Sequence, residues 1–208
     1  MAEPTTRAER IDELYPWLLH WSIADERLGG FRSDAYAVDT PEGLVVVDAL
    51  PLLPRLEERL TGAVALVLTH GNHQRSAWRL RRELGARVFV PVGDWDLDEE
   101  PDERYEPGAT LPGGLRAHEA SSFEVACFLS HAPASGPAAV FCGDLICQDP
   151  GGPYRFPDQP GYFDPALGIA DARRLLALDA AALCPAHADP TAEGCRAALE
   201  GAVARADA

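Results

Sequence analysis

The chain has 208 residues and a formal net charge of −15, from 33 acidic and 18 basic side chains. This length is enough for one well-buried core and does not require two domains, so we expect a single domain over residues 1–208. The excess negative charge disfavours nucleic acid and anionic membrane surfaces as partners. A small-molecule ligand or substrate is the expected partner, and the chain could act alone or as a homodimer.

Hydrophobic residues make up 47% and charged residues 25% of the chain, as in ordinary globular proteins. No apolar run approaches the roughly 20 residues needed to cross a bilayer, and the first residues lack the apolar segment of a secretion signal. The cysteines are odd in number and contain no C-x-x-C pair, which favours reduced thiols. We therefore expect a cytoplasmic protein whose thiols are mostly core residues: Cys127, Cys142, Cys147, Cys184 and Cys195.

Two segments near the start, 17–23 and 33–40, have the pattern of half-exposed strands. Short, continuous apolar runs rich in valine then predict strands buried on both faces, at 43–50, 63–70, 86–92, 123–131, 138–145 and 181–187. Between or after them, helices are predicted at 51–62, 74–85, 164–179 and 189–206. Asp164 and Asp189 are suited to cap the last two helices, and Gly62 and Gly85 to end the first two.

Two connections lack a regular pattern. Residues 93–114 are acidic and contain both proline and glycine, so they predict a solvated loop with at most a short strand. Residues 148–165 are rich in glycine and proline, and irregular connections of this kind often cover a site. Strands alternating with helices in this order predict an α/β protein with sheets covered by helices.

Three predicted strands finish in side chains that can bind a metal or transfer a proton. His70 ends "LVLTH", Asp144 ends "VFCGD" and His187 ends "LCPAH". A rigid sheet can bring such strand ends to one pocket although they are far apart in sequence. These residues are the first candidates for a functional site.

The order of these segments resembles the metallo-β-lactamase superfamily over roughly residues 33–200. The resembling blocks are "SDAYAVDTPEGLVVVDALPL", "LVLTHGNHQRSAWRLRRELGARVFVP", "HEASSFEVACFL", "VFCGDLI" and "LCPAHADP". The resemblance implies a four-layer αββα sandwich with one or two zinc ions at the strand ends. Most members of that family hydrolyse lactams, thioesters, lactones or phosphodiesters.

The family's metal-binding motif T-H-x-H-x-D-H is only partly present here. Thr69 and His70 match it, but Asn72 replaces the second histidine, Gln74 the aspartate and Arg75 the last histidine. Amides are poor zinc ligands, and the guanidinium of Arg75 puts a permanent cation where a second dication would lie. The resemblance therefore implies a degenerate site without the binuclear zinc centre.

The later ligand positions are also mixed. Ser122 stands where the family has a histidine ligand, and His118 matches only the leading histidine of that block. Asp144 matches the aspartate that bridges the two metals, and His187 matches the last zinc ligand. With no metal between them, Arg75 could pair with Asp144, and we expect that salt bridge.

Three functions follow from this pattern. The leading one is a metal-free site that binds a small molecule, which can be an anion, through Arg75, Asn72, Gln74 and Ser122. The alternative is a hydrolase of an ester, thioester or lactone, with a single zinc, manganese or iron ion held by His70, His73, Asp144 and His187. The third is acid–base catalysis without metal by His70 and Asp144.

Overall fold

The computed structural model describes residues 3–123 and 125–206, which form two compact units. The first unit comprises Met1–Glu106 and Leu111–Gly113, and the second comprises Pro107–Thr110 and Gly114–Ala208. Within the described ranges, each unit has one sheet and two α-helices. In the described residues, no helix is both long and apolar enough to cross a membrane.

The first unit contains a seven-stranded mixed sheet whose strands neighbour one another in chain order. Pairings up to the fourth strand are antiparallel and the remaining three are parallel. The strands are β1 (Asp12–Tyr15), β2 (Leu18–Asp25), β3 (Phe31–Thr40), β4 (Gly43–Val47), β5 (Ala63–Val67), β6 (Arg87–Pro91) and β7 (Glu103–Tyr105), and the helices are α1 (Pro54–Glu57) and α2 (Ala77–Leu84).

The core of the first unit is built from the apolar runs that the sequence predicts as strands. Val46, Leu66 and Val88 from three neighbouring parallel strands are fully buried, together with Trp21 of β2. Contrary to the sequence expectation, β2 and β3 are mostly buried rather than half-exposed. Their buried polar side chains are paired, as in the contact of His20 with Asp34 at 2.7 Å, which lowers the penalty of burying them.

The second unit contains a four-stranded sheet in which the two strands latest in the chain are parallel and the other neighbours are antiparallel. The helices pack against each other, and both contact β10. In sheet order the strands are β11 (Ala182–His187), β10 (Ala139–Cys147), β9 (Cys127–His131) and β8 (Arg116–Glu119), and the helices are α3 (Pro165–Leu176) and α4 (Cys195–Ala206). All five cysteines are buried and none forms a disulfide among the described residues, which agrees with the core thiols that the sequence predicts.

Helix ends agree only in part with the sequence predictions. Asp164 caps α3 by accepting hydrogen bonds from the backbone N–H groups of Ala166 and Leu167, and Gly85 ends α2 in the left-handed conformation. The helix expected from Asp189 begins only at Cys195. Gly62 does not end a helix, because the short helix at 54–57 passes into a single 3-10 turn that stops at Leu60.

Candidate metal and ligand site

In the first unit, polar side chains follow the ends of two neighbouring parallel strands. Asp48 comes directly after β4, and Thr69 lies two residues beyond β5. The Asp48 carboxylate accepts hydrogen bonds from the backbone N–H of Thr69 at 2.8 Å and from its hydroxyl at 2.5 Å. Both residues are buried, so this carboxylate is fixed in one orientation at the edge of the sheet.

His73 is oriented by the same carboxylate. Its Nδ1 lies 3.0 Å from Oδ2 of Asp48, and the ring is buried. An ionised carboxylate can only accept a hydrogen bond, so Nδ1 must carry the proton. Nε2 is then directed away from Asp48, and it offers a lone pair to a metal once it gives up its own proton. A carboxylate behind a histidine in this way is the usual support of a metal-binding imidazole.

Positive charge keeps Asp48 ionised. Burial by itself raises the pKa of this carboxyl group, but the neighbouring charges of His73 and Arg75 and the hydrogen bonds from His73 and Thr69 outweigh it. The net result is a pKa below the ordinary value of an aspartic acid. At neutral pH, Asp48 is therefore the negative group around which the cations of this unit are arranged.

His70 is held differently from His73, although both follow the same strand. Its Nδ1 accepts the backbone N–H of Asn72 at 3.1 Å, and its ring meets the ring of Trp95 edge-on, with centroids 4.4 Å apart. When Nδ1 of a neutral imidazole is the acceptor, Nε2 carries the proton. His70 therefore presents an N–H donor where a metal ligand would need a lone pair.

Arg75 is buried, with 4% of its surface exposed. Its guanidinium donates from Nη1 to the backbone carbonyl oxygens of Asp34 at 2.8 Å and Asp48 at 3.1 Å. Asp48 and Arg75 also have positive φ angles, 51° and 37°. Such conformations are unfavourable for residues other than glycine and often accompany functional sites. The salt bridge between Arg75 and Asp144 stays a prediction.

The two amide residues of the motif have different surroundings. The side chain of Gln74 donates to the carbonyl of Asp96 at 2.9 Å and accepts from the Trp78 indole at 2.8 Å and the Asp98 backbone at 2.7 Å. These contacts tie α2 to the acidic loop, so the geometry favours a structural role for Gln74. Asn72 is exposed, and a ligand-binding role for either residue stays a prediction.

In the second unit, Asp144 and His187 come from the neighbouring parallel strands β10 and β11. Oδ1 of Asp144 lies 3.4 Å from Nε2 of His187, and both side chains are 14% exposed. The strand register shifts on both sides of Gly143, whose φ is 51°. This irregularity next to Asp144 is typical of β-bulges, which re-aim a side chain near a site.

Tyr162 also contacts Asp144. It lies on the glycine- and proline-rich segment before α3, and its hydroxyl donates to Oδ2 of Asp144 at 2.8 Å. Burial raises the pKa of this phenol, and the negative charge of Asp144 raises it further. The tyrosine is therefore protonated at neutral pH and acts as a donor to the carboxylate.

Ser122 lies in a turn before β9 that α3 holds in place. Its backbone N–H donates to the buried carboxylate of Asp171 at 2.8 Å, and its carbonyl accepts the backbone N–H of Asp164 at 3.1 Å. The buried hydroxyl of Ser122 has no hydrogen-bond partner among the described residues. His118, by contrast, pairs with Ser130 across β8 and β9 at 2.8 Å, so it belongs to the sheet.

Several solved structures of metallo-β-lactamases have a similar fold. The DIM-1 metallo-β-lactamase exposed to ceftazidime has 14% sequence identity and a TM-score of 0.70, over 99% of this chain and 99% of that one. The chain has the metallo-β-lactamase fold. FIM-1 from Pseudomonas aeruginosa in its mono-zinc form gives 13% identity and a TM-score of 0.71, over 97% of this chain and 96% of that one.

An archaeal member of the metallo-β-lactamase superfamily, ST1585 from Sulfolobus tokodaii, has 15% identity and a TM-score of 0.64, with 83% of this chain and 79% of that chain covered. No protein-family model matches the chain, and no curated protein matches it. Identities this low establish the metallo-β-lactamase fold alone. Any activity must be argued from this chain's own residues.

Two residues of this metallo-β-lactamase fold were missed by the sequence reasoning. Asp48 ends "LVVVD" and so has the same strand-end position as the three candidates that the sequence pointed out. That pattern could have identified it. Tyr162 carries no comparable signal, because its segment is irregular and only the tertiary structure brings it to Asp144.

Proposed function

We propose that this chain binds a single divalent cation through His73, Asp144 and His187 and hydrolyses an ester, thioester or lactone. Each of these residues can contribute one ligand atom. Two imidazoles and a carboxylate are the usual donors of a catalytic zinc site, which keeps one position open for water or substrate. The donor set therefore fits one ion.

The observation that carries the proposal is the hydrogen bond between Asp48 and His73. It fixes a proton on Nδ1, which lies 3.0 Å from the ionised carboxylate, and leaves Nε2 as the nitrogen that can exchange its proton for a metal ion. His20 makes a similar contact with Asp34, but only His73 is also grouped with two further possible ligands among the described residues, and a carboxylate behind the ring is the usual support of a metal-binding imidazole. The same reasoning omits His70 from the four ligands that the sequence suggests, because its Nδ1 accepts a hydrogen bond.

One ion, rather than two, is proposed because of the substituted positions. Gln74 and Arg75 replace the two motif ligands of the family's second site, and Arg75 is a buried permanent cation. Asn72 and Ser122 replace two ligands of the first site. His73 supplies an imidazole from a position that the family motif does not use.

A bound divalent metal would lower the pKa of a coordinated water towards neutrality. The contribution of the chain is to hold the ligands: Asp48 orients His73, and Tyr162 and His187 flank the carboxylate of Asp144. Zinc, manganese and iron are all compatible with these donors. The substrate class, an ester, thioester or lactone, is proposed together with the metal site.

A second candidate is a metal-free pocket that binds a small anionic molecule, supported by the buried positive charge of Arg75 and the unpartnered hydroxyl of Ser122. In this alternative Arg75 would pair with Asp144. Catalysis by His70 and Asp144 without metal is less well supported, because Nδ1 of His70 already accepts the N–H of Asn72.

Metal analysis of untagged protein, followed by zinc and manganese titration, separates these candidates. We expect one ion per chain, with binding abolished in His73→Ala and His187→Ala and retained in His70→Ala. His118→Ala is a matched control, since that histidine belongs to β8. Panels of ester, thioester and lactone substrates, with and without metal, then test the reaction. A chain that binds no ion, or that loses it only in His70→Ala, would exclude the proposed site.

A further inference from the structure

Tyr162 is fixed at two points within the second unit. Its hydroxyl donates to Oδ2 of Asp144 at 2.8 Å, and its ring meets the ring of Phe123 edge-on, with centroids 5.5 Å apart. The next residue, Phe163, lies so close to Gly168 of α3 that a Cβ on the glycine would come within 2.3 Å of the Phe163 ring. The segment before α3 is therefore packed tightly where it presents Tyr162.

The two oxygens of Asp144 have different neighbours. Oδ2 receives the phenol hydrogen of Tyr162, whereas Oδ1 is the oxygen 3.4 Å from Nε2 of His187. A carboxylate that accepts a strong hydrogen bond on one oxygen is held in one rotation about its Cβ–Cγ bond. Tyr162 thus determines which oxygen of Asp144 lies beside the histidine.

We propose that Tyr162 is a positioning residue that makes Asp144 a ligand through one oxygen, Oδ1, and thereby couples the segment before α3 to metal binding. This inference rests on the proposed function, since it assigns Asp144 to the metal. Removing a hydrogen-bond partner of a metal ligand typically lowers the affinity for the metal by about 10–100-fold. By the reciprocity of linked equilibria, a bound ion would in turn hold the segment in place.

The same segment offers a matched control. Tyr154 also donates a hydrogen bond through its hydroxyl, to the backbone carbonyl of Asp189 at 2.9 Å. It anchors the segment to the loop after β11 through a backbone carbonyl rather than a carboxylate. Tyr154→Phe therefore removes an anchor of the segment, while Tyr162→Phe removes an anchor and a partner of the proposed ligand.

The test is zinc affinity, measured on the full chain by competition with a chromophoric chelator. Tyr162→Phe should bind zinc about 10–100-fold more weakly than wild type, and Tyr154→Phe should be unchanged. With cobalt in place of zinc, Tyr162→Phe should also change the ligand-field spectrum, because both oxygens of Asp144 become available. Loss of packing alone would not alter that spectrum.

The outcomes separate this inference from the proposed function. Wild-type protein that binds one zinc, with Tyr162→Phe equal to it in affinity and cobalt spectrum, would overturn the role of Tyr162 and leave the metal site standing. An equal loss in both tyrosine variants would also overturn it, since the segment's anchoring would then be the cause. Wild-type protein that binds no zinc would overturn both.

Discussion

Asp48 is the residue on which the polar cluster of the first unit depends. It accepts two hydrogen bonds from Thr69, lies 3.0 Å from Nδ1 of His73, and adopts a φ of 51° to do so. A strained backbone at a residue with this many polar partners is expected where a side chain must be aimed accurately. Its role is therefore best tested through the histidine that it orients.

Asp48→Asn should weaken zinc binding by about 10–100-fold, because a neutral amide no longer fixes the proton on Nδ1 of His73. Competition with a chromophoric chelator measures the loss. Asp25→Asn is a suitable control, since Asp25 is another fully buried carboxylate of the first unit but is paired with Arg27. Equal zinc affinity in wild type and Asp48→Asn would contradict the orienting role.

The sequence identifies the segment that holds the candidate ligands of the first unit, but it does not distinguish the two histidines there. His70 and His73 both follow "LVLT", and the family motif favours His70. What separates them is that the Asn72 N–H occupies Nδ1 of one ring and the Asp48 carboxylate lies at Nδ1 of the other. Backbone geometry at a 3-10 turn decides this, and no spacing of residue types reports it.

At the scale of elements, apolar runs predict strands well because a strand that is buried on both faces needs a continuous run of apolar residues. Each of the six runs contains a strand of the structure, from Gly43–Val47 to Ala182–His187. Helix starts are less predictable, since tertiary pairing competes with local signals. Leu52 pairs with Ala8 and Thr191 with Leu183, which keeps these segments extended and delays α1 and α4. Pro54 further disfavours helix in the residue before it.

The hairpin of β2 and β3 is closed by a buried carboxylate. Asp25 accepts hydrogen bonds from the Arg27 side chain at 2.6 and 2.9 Å and from the Ser33 hydroxyl at 3.1 Å. Burial raises the pKa of Asp25, but the hydrogen bonds and charge of Arg27 outweigh it, so the pKa lies below 3.8. A lowered pKa means that ionised Asp25 stabilises the folded state.

Asp25→Asn should lower the free energy of unfolding by about 2 kcal/mol at pH 7. The stabilisation is complete above the unfolded-state pKa of about 3.8 and is lost as pH falls towards the lower folded-state value. The difference between variant and wild type should therefore shrink below that pH. Urea denaturation at several pH values measures it. Asp39→Asn, at an exposed position of β3, should change stability little, and a pH-independent difference would contradict the explanation.

At the scale of the whole molecule, the proposed ligands are far apart in sequence, from His73 to His187. The sequence predicts one domain, and this stays a prediction. A ligand that binds only the folded chain stabilises it in proportion to the logarithm of its concentration. Metal binding should therefore be visible in the thermal unfolding of the entire chain.

Zinc at about one hundred times its dissociation constant should stabilise the chain by about 2.7 kcal/mol, which raises Tm by roughly 5–11 °C for a protein of this size. Differential scanning calorimetry measures the shift, and a chelator should reverse it. His187→Ala should show no shift. A rise of the same size in His187→Ala would mean that zinc binds elsewhere.

The amino-terminal arm, residues 3–8, is bound to the rest of the first unit at several points. Glu3 pairs with Arg79 of α2 at 2.9 Å, the hydroxyl of Thr5 donates to Glu26 at 2.7 Å, and Ala8 forms backbone hydrogen bonds with Pro51 and Leu53. A bulky fusion ahead of Glu3 would pull against all of these anchors at once. A purification handle is therefore better joined behind α4, and it should be free of histidine so that it does not compete for the ion.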